Sequence, residues 1–184
     1  FSKKPLNRFK FQQIKKSTKN LTKIELLKAL IKKIDAIENC NIRKNSNRLI
    51  LGDGNINSSI MIIGEAPGLN EEKIGKTFQG DAGTLLEKML LAIEIKKENV
   101  YSSYAVNFRP PEDRKPTSQE ARRYSEFLKE HISIIDPKII VLFGSTAMES
   151  ILTSNLKISD ERGKWKEIII KDKTFPVMIT FSAS

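Results

Sequence analysis

The stretches of this chain that could do chemistry are few and short. Gly64-Glu65-Ala66-Pro67-Gly68 sets a carboxylate between two glycines directly after an apolar run, SIMII at 59–63. Glycines there let a backbone approach a ligand closely, and such a turn aims amide N–H groups outward. The same pattern also serves an ordinary strand-to-loop turn. It is neither a Gly-x-x-x-x-Gly-Lys-Ser/Thr phosphate loop nor a Gly-x-Gly-x-x-Gly dinucleotide fingerprint. Asn107 follows a second extended run, and Gly144-Ser145-Thr146-Ala147 follows a third, where a helix start would offer amides to a phosphate. One cysteine, Cys40, excludes an internal disulfide and any four-cysteine metal site. One histidine, His131, falls inside a helical pattern and reads as a surface or helix-packing residue, not a catalytic one.

These residues need elements to position them. Thr22-Lys23-Ile24-Glu25 reads as a capping box opening a helix, with Ile24, Leu27, Leu30, Ile31, Ile34 and Ile37 at helical spacing. Residues 81–94 form an amphipathic pattern with Leu85, Leu86, Met89, Leu90 and Ile93 inward. Residues 100–108 read as the second strand, followed by the proline-broken loop RPPEDRKP. Thr117-Ser118-Gln119-Glu120 is a second capping box, opening a helix to about Ile135. The third buried strand spans 138–143, and 167–170 and 177–181 are two more extended stretches. Strands alternating with helices predict an α/β sandwich with a mostly parallel sheet, whose ligands collect at the carboxyl ends of the strands.

With 184 residues and 39% hydrophobic composition, the chain is long enough to bury one sizeable core. No run of about 18 apolar residues exists, so no transmembrane helix and no membrane partner are expected. The net charge of +10 is uneven: residues 1–48 hold 14 Lys+Arg against 3 Asp+Glu, and the rest is close to neutral. A basic arm over 1–20 would attract nucleic-acid phosphate, although a lysine-rich composition also arises without selection for binding. The arm has no apolar h-region, so it is not a secretory signal, and a cytoplasmic location is expected. Phe1 in place of an initiator Met reads as a processed, trimmed or incomplete start.

Four blocks in order, GEAPGLNEEKIGKTFQGDAGTLLEKML, YAVNFRPPEDRKPTSQEA, IDPKIIVLFGSTA and RGKW, resemble the family 4 uracil-DNA glycosylases over residues 51–180. The resemblance implies a three-layer α/β/α sandwich around a central, mostly parallel four-stranded sheet. It also implies an enzyme that flips uracil out of DNA and hydrolyses its N-glycosidic bond, with uracil-containing DNA as partner and a monomer as the unit. Domain 21–184 would carry this activity, ending short of the family's DNA-inserting segment. By the same resemblance Phe78 supplies the stacking face for the extruded base. Asn107 reads uracil, its carbonyl accepting from N3–H and its amide donating to O4. Glu65 stabilises the sugar cation or orients water, and the loop Gly64, Ala66, Pro67 and Gly68 lies against the departing anion. Glu71 and Glu72 stand where the family has an acidic pair. Arg109, Arg114, Lys115 and Arg162, with Ser145 and Thr146, would line the DNA path.

Two departures stand out. The family's four iron–sulfur ligands fall at Ile37, Cys40, Phe108 and Tyr124, of which only Cys40 is a cysteine, so neither cluster nor other cofactor is expected. Ser182 occupies the position of the family's terminal histidine; a hydroxyl donates a hydrogen bond there but carries no positive charge. Two readings stay open: a divergent uracil-DNA glycosylase with weakened activity, or a degenerate relative that binds DNA without excision.

Overall fold

The computed structural model describes residues 8–152 and 156–183, with side chains described from residue 22. Six strands form one mixed sheet: β1 (Gly52–Gly54), β2 (Ile60–Gly64), β3 (Tyr101–Tyr104), β4 (Ile139–Phe143), β5 (Trp165–Ile170) and β6 (Lys173–Thr180). The α-helices among the described residues are α1 (Arg8–Asp35), α2 (Asn41–Asn45), α3 (Leu69–Ile74), α4 (Gly80–Leu91), α5 (Ser118–Ile135), α6 (Ser145–Ile151) and α7 (Ile158–Glu161). Strand order is β1-β3-β2-β4-β6-β5. The expected four strands are the parallel centre, β3-β2-β4-β6, and antiparallel β1 and β5 extend it at both edges. The six-strand count corrects the expectation of four. β1 is Gly-Asp-Gly, without apolar alternation, and pairs only because β3 offers it an open edge. β5 joins β6 through a two-residue turn, Lys171-Asp172, both at positive φ, as tight hairpins require.

Alternation along the central strands separates two apolar layers. Met61 and Ile63 face the larger cluster, formed with Leu30 and Ile34 of α1 and Leu128, Ile132 and Ile135 of α5. Ile62 and Phe143 face the smaller one, with Leu86 and Leu90 of α4. The two clusters make the sandwich three layers deep.

Three local expectations are corrected. α1 runs unbroken through Thr22–Glu25 from Arg8, because the residues between carry neither glycine nor proline to stop it. Residues 8–20 of the expected arm are thus helical, and its residues 1–7 lie outside the described residues. On α4, Leu86 and Leu90 are buried, whereas Leu85 and Met89, like Ile93 just past its end, are exposed. They form the next stripe around the helix, and the apolar arc is wider than the face it packs on. Third, β3 ends at Tyr104, four residues before the expected Phe108, where the chain leaves the sheet.

Candidate active site

In this strand order the connections from β2 and β4 leave toward opposite edges, so a crevice opens at their carboxyl ends. Gly64-Glu65-Ala66-Pro67-Gly68 leaves β2 there, and Gly144-Ser145-Thr146-Ala147 leaves β4 beside it. The crevice is a cleft of about 800 Å³. Its walls are the Gly64–Gly68 loop, Phe78, Tyr104, Phe143 and the β6 end at Ser182 and Ala183, with Arg114 and Lys115 opposite.

Glu65 is largely buried and fixed. Its Oε1 accepts from the Thr146 N–H at 3.0 Å and the Ser145 hydroxyl at 3.3 Å, with the Lys115 ammonium at 3.5 Å. Gly144 makes this approach possible: its φ is +97°, and a Cβ there would lie 2.4 Å from the Glu65 Cδ. The start of α6 is thereby occupied by the protein's own carboxylate. This corrects the reading of Ser145 and Thr146 as a phosphate site, since their donors already serve Glu65.

Phe78 has a φ of +47°, a left-handed conformation that is costly for an aromatic residue. Its N–H donates to Tyr104 Oη at 2.8 Å, and its carbonyl accepts from Lys97 Nζ at 3.2 Å. Its ring is stacked on Tyr104, centroids 5.2 Å apart, and meets Phe143 edge-on. Glu71 and Glu72 are buried, not exposed loop acids. Glu71 accepts from the N–H groups of Gly68 and Gln79, tying the glycine loop to the segment after Phe78. Burial alone would raise the Glu72 carboxyl, but bonds from the Ser46 hydroxyl, the Asn47 N–H and Arg109 bring it below the ordinary glutamate range.

Asn107 is not brought to the cleft. It lies three residues past the end of β3, buried, and its amide donates to the Ile50 carbonyl at 3.1 Å. The residue that ends the strand and faces the cleft is Tyr104, and the carboxamides at the cleft are Asn70 and Gln79. Two of the expected DNA-binding arginines are engaged within the protein. Arg109 forks onto Asp113 at 2.6 and 2.8 Å and reaches Glu72, which holds the Asp113 carboxyl below its ordinary range. Arg114 forks onto Glu120 at 2.8 and 2.7 Å, at the capping box of α5. Lys115 remains well exposed at the cleft mouth, and exposed Arg162 lies over the Phe181 ring, next to Ser182. Tyr104 was missed in the sequence because a strand read through to Phe108 hides which residue ends it.

Of the four positions expected to match the family's cluster ligands, Cys40, Phe108 and Tyr124 meet in the core. Cys40 Sγ lies 3.4 Å from Tyr124 Oη, the Tyr124 ring meets Phe108 edge-on, and Ile37 packs against the same core. One thiol, a phenol and two hydrocarbon side chains do not fit a cluster that needs thiolates. Among the described residues no group of three or more His, Cys, Asp or Glu could hold a metal ion. No helix of the described residues is long and apolar enough to cross a membrane.

A parallel-centred sheet between two helical layers, with a cleft at its strand ends, defines an α/β protein of the three-layer class. The chain belongs to the Uracil DNA glycosylase superfamily, whose profile matches residues 51–184. It is 36% identical over 138 residues to the type-4 uracil-DNA glycosylase of Thermotoga maritima, covering 75% of this chain and 71% of that protein. The type-4 enzyme of Archaeoglobus fulgidus is 34% identical over 128 residues, 70% of this chain and 64% of that protein. That of Sulfurisphaera tokodaii is 32% identical over 166 residues, 86% and 74%.

Proposed function

We propose that the cleft excises uracil from DNA, hydrolysing the N-glycosidic bond. The observation that carries this reading is that Glu65, the Gly64–Gly68 loop, Phe78 and Ser182 line one strand-end cleft in a chain of this superfamily. Water supplies hydroxyl to C1′ of the sugar and a proton to the base. The Glu65 carboxylate, held by Thr146 and Ser145, stabilises positive charge on the sugar or orients that water. Loop amides and the Ser182 hydroxyl stabilise the departing uracil anion. Lys115 and Arg162 contact the DNA backbone. The chemistry runs without an iron–sulfur cluster; near-stoichiometric iron in anaerobically purified protein would overturn that part.

The test is incubation of the full chain with single- and double-stranded uracil-containing oligonucleotides, followed by alkaline cleavage of abasic product. Glu65→Gln is expected to lower excision by about 10²–10³-fold. No product above that variant would overturn the enzyme reading. A second reading, DNA binding without excision, draws on the engagement of the Asn107 amide by Ile50, away from the cleft. Tight binding without product would favour it.

A further inference from the structure

The least expected group in the cleft is Tyr104. At a centroid separation of 5.2 Å and an interplanar angle of 29°, its ring and that of Phe78 are in direct contact, so no third ring fits between them. Both rings rest in the space left by a glycine. A Cβ on Gly64 would come within 2.8 Å of the Tyr104 ring and 2.9 Å of Phe78. Both rings are almost fully buried, and the edge of Phe78 is met by Phe143. The hydroxyl fastens the arrangement. It accepts from the Phe78 N–H at 2.8 Å, and the nearby Glu71 carboxylate holds the N–H groups of Gly68 and Gln79. Tyr104 therefore grips Phe78 by its face and by its strained backbone.

We propose that Tyr104 is a built-in occupant of the base-stacking place: its ring covers Phe78 and must swing away before a base is taken up. Tyr104 thereby sets the affinity of the cleft for uracil. The inference rests on the reading that the cleft takes up a base. An occupant that must leave reduces apparent affinity by the fraction of molecules in which it has left.

The experiment titrates free uracil into the full chain, read by ligand-detected NMR, for the natural protein, Tyr104→Ala and Tyr104→Phe. Tyr104→Ala is expected to bind uracil about tenfold tighter, a change of ~1.4 kcal/mol. Tyr104→Phe keeps the ring and loses the hydroxyl's hold on the Phe78 N–H, so a gain of about threefold is expected. Equal or weaker binding by Tyr104→Ala would overturn the proposal, because it would make the ring a wall of the base site or a bystander. Should Tyr104→Ala fail to fold, Tyr104→Phe decides alone, and no gain overturns. Excision is assayed in parallel on a uracil-containing oligonucleotide. No excision by any of the three, with tighter uracil binding by Tyr104→Ala, would sink the enzyme reading and leave the occupant standing. Excision by the natural protein, with no gain in binding, would do the reverse.

Discussion

At the scale of single residues, the position of Glu65 depends on an atom that is missing. Any side chain at 144 would enter the space of the Glu65 carboxylate while also demanding a φ of +97°. Gly144→Ala should therefore cost at least ~1 kcal/mol of stability from the backbone alone and push the carboxylate off Thr146. Excision should fall about tenfold or more, with DNA affinity less affected, as single-turnover rates and thermal unfolding would show. Asn107 makes the opposite case. Its amide ties the end of the β3 segment to the Ile50 carbonyl, buried and away from the cleft. Asn107→Ala should cost ~1–3 kcal/mol by leaving that carbonyl unpaired, and should leave excision by the folded fraction within a few-fold. A loss above about 100-fold at unchanged melting temperature would return Asn107 to the base.

At the scale of elements, α5 is joined to the sheet by a buried polar chain. Ser103 donates its hydroxyl proton to the Leu51 carbonyl at 2.6 Å, so it accepts from His131 Nδ1–H at 3.3 Å. That leaves Nε2 to accept from the Tyr101 hydroxyl at 2.9 Å. The chain is satisfied with His131 neutral, and burial pushes its pKa down to about 3. The unfolded chain binds this proton near pH 6.5, so it holds more protons than the folded one between about 6.5 and 3. Stability should be full above pH 6.5 and fall as pH drops, by up to ~1.4 kcal/mol per pH unit from this group. Denaturant titrations from pH 7 to 4 would show a shallower decline in His131→Gln. Elements with a strong local signal were legible in the sequence: the capping box at Thr117 and Glu120 opens α5 where the pattern places it, and the apolar runs are β2 and β4. What depends on a partner was not. Gly-Asp-Gly becomes β1 only against β3, and the end of β3 is set where the chain crosses the cleft, not by a change in residue type. For the same reason Glu65 and Phe78 could be assigned to the site from their blocks, while the exchange of Tyr104 for Asn107 at the strand end could not.

At the scale of the whole molecule, charge and cleft are carried by different parts of the chain. The parallel centre of the sheet and the cleft belong to the near-neutral remainder, and Arg109 and the cleft's Arg114 are spent on Asp113, Glu72 and Glu120. Exposed Lys115 and Arg162 supply little long-range attraction for DNA. The excess of 14 Lys+Arg over 3 Asp+Glu in residues 1–48 is then expected to provide most of the non-specific term. Part of it is already committed: Lys23 is buried against the Ile56 and Ile135 carbonyls, Lys33 pairs with Glu130, and Arg43 with Asp35. Lys3, Lys4, Lys10, Lys15, Lys16 and Lys19 concentrate positive charge ahead of these. Replacing all six with Gln removes charge while keeping residues of similar helix propensity, so α1 should persist. Each phosphate neutralised on duplex DNA contributes about −0.9 to the slope of log K against log salt, so the slope should flatten by up to about 5. Affinity at low salt should fall by orders of magnitude, while excision at saturating DNA should not change, because Glu65 and the Gly64–Gly68 loop are left untouched. An unchanged slope in fluorescence-anisotropy titrations from 50 to 200 mM salt would place the DNA-attracting charge on the sandwich itself, with Lys115 and Arg162 as the next residues to replace.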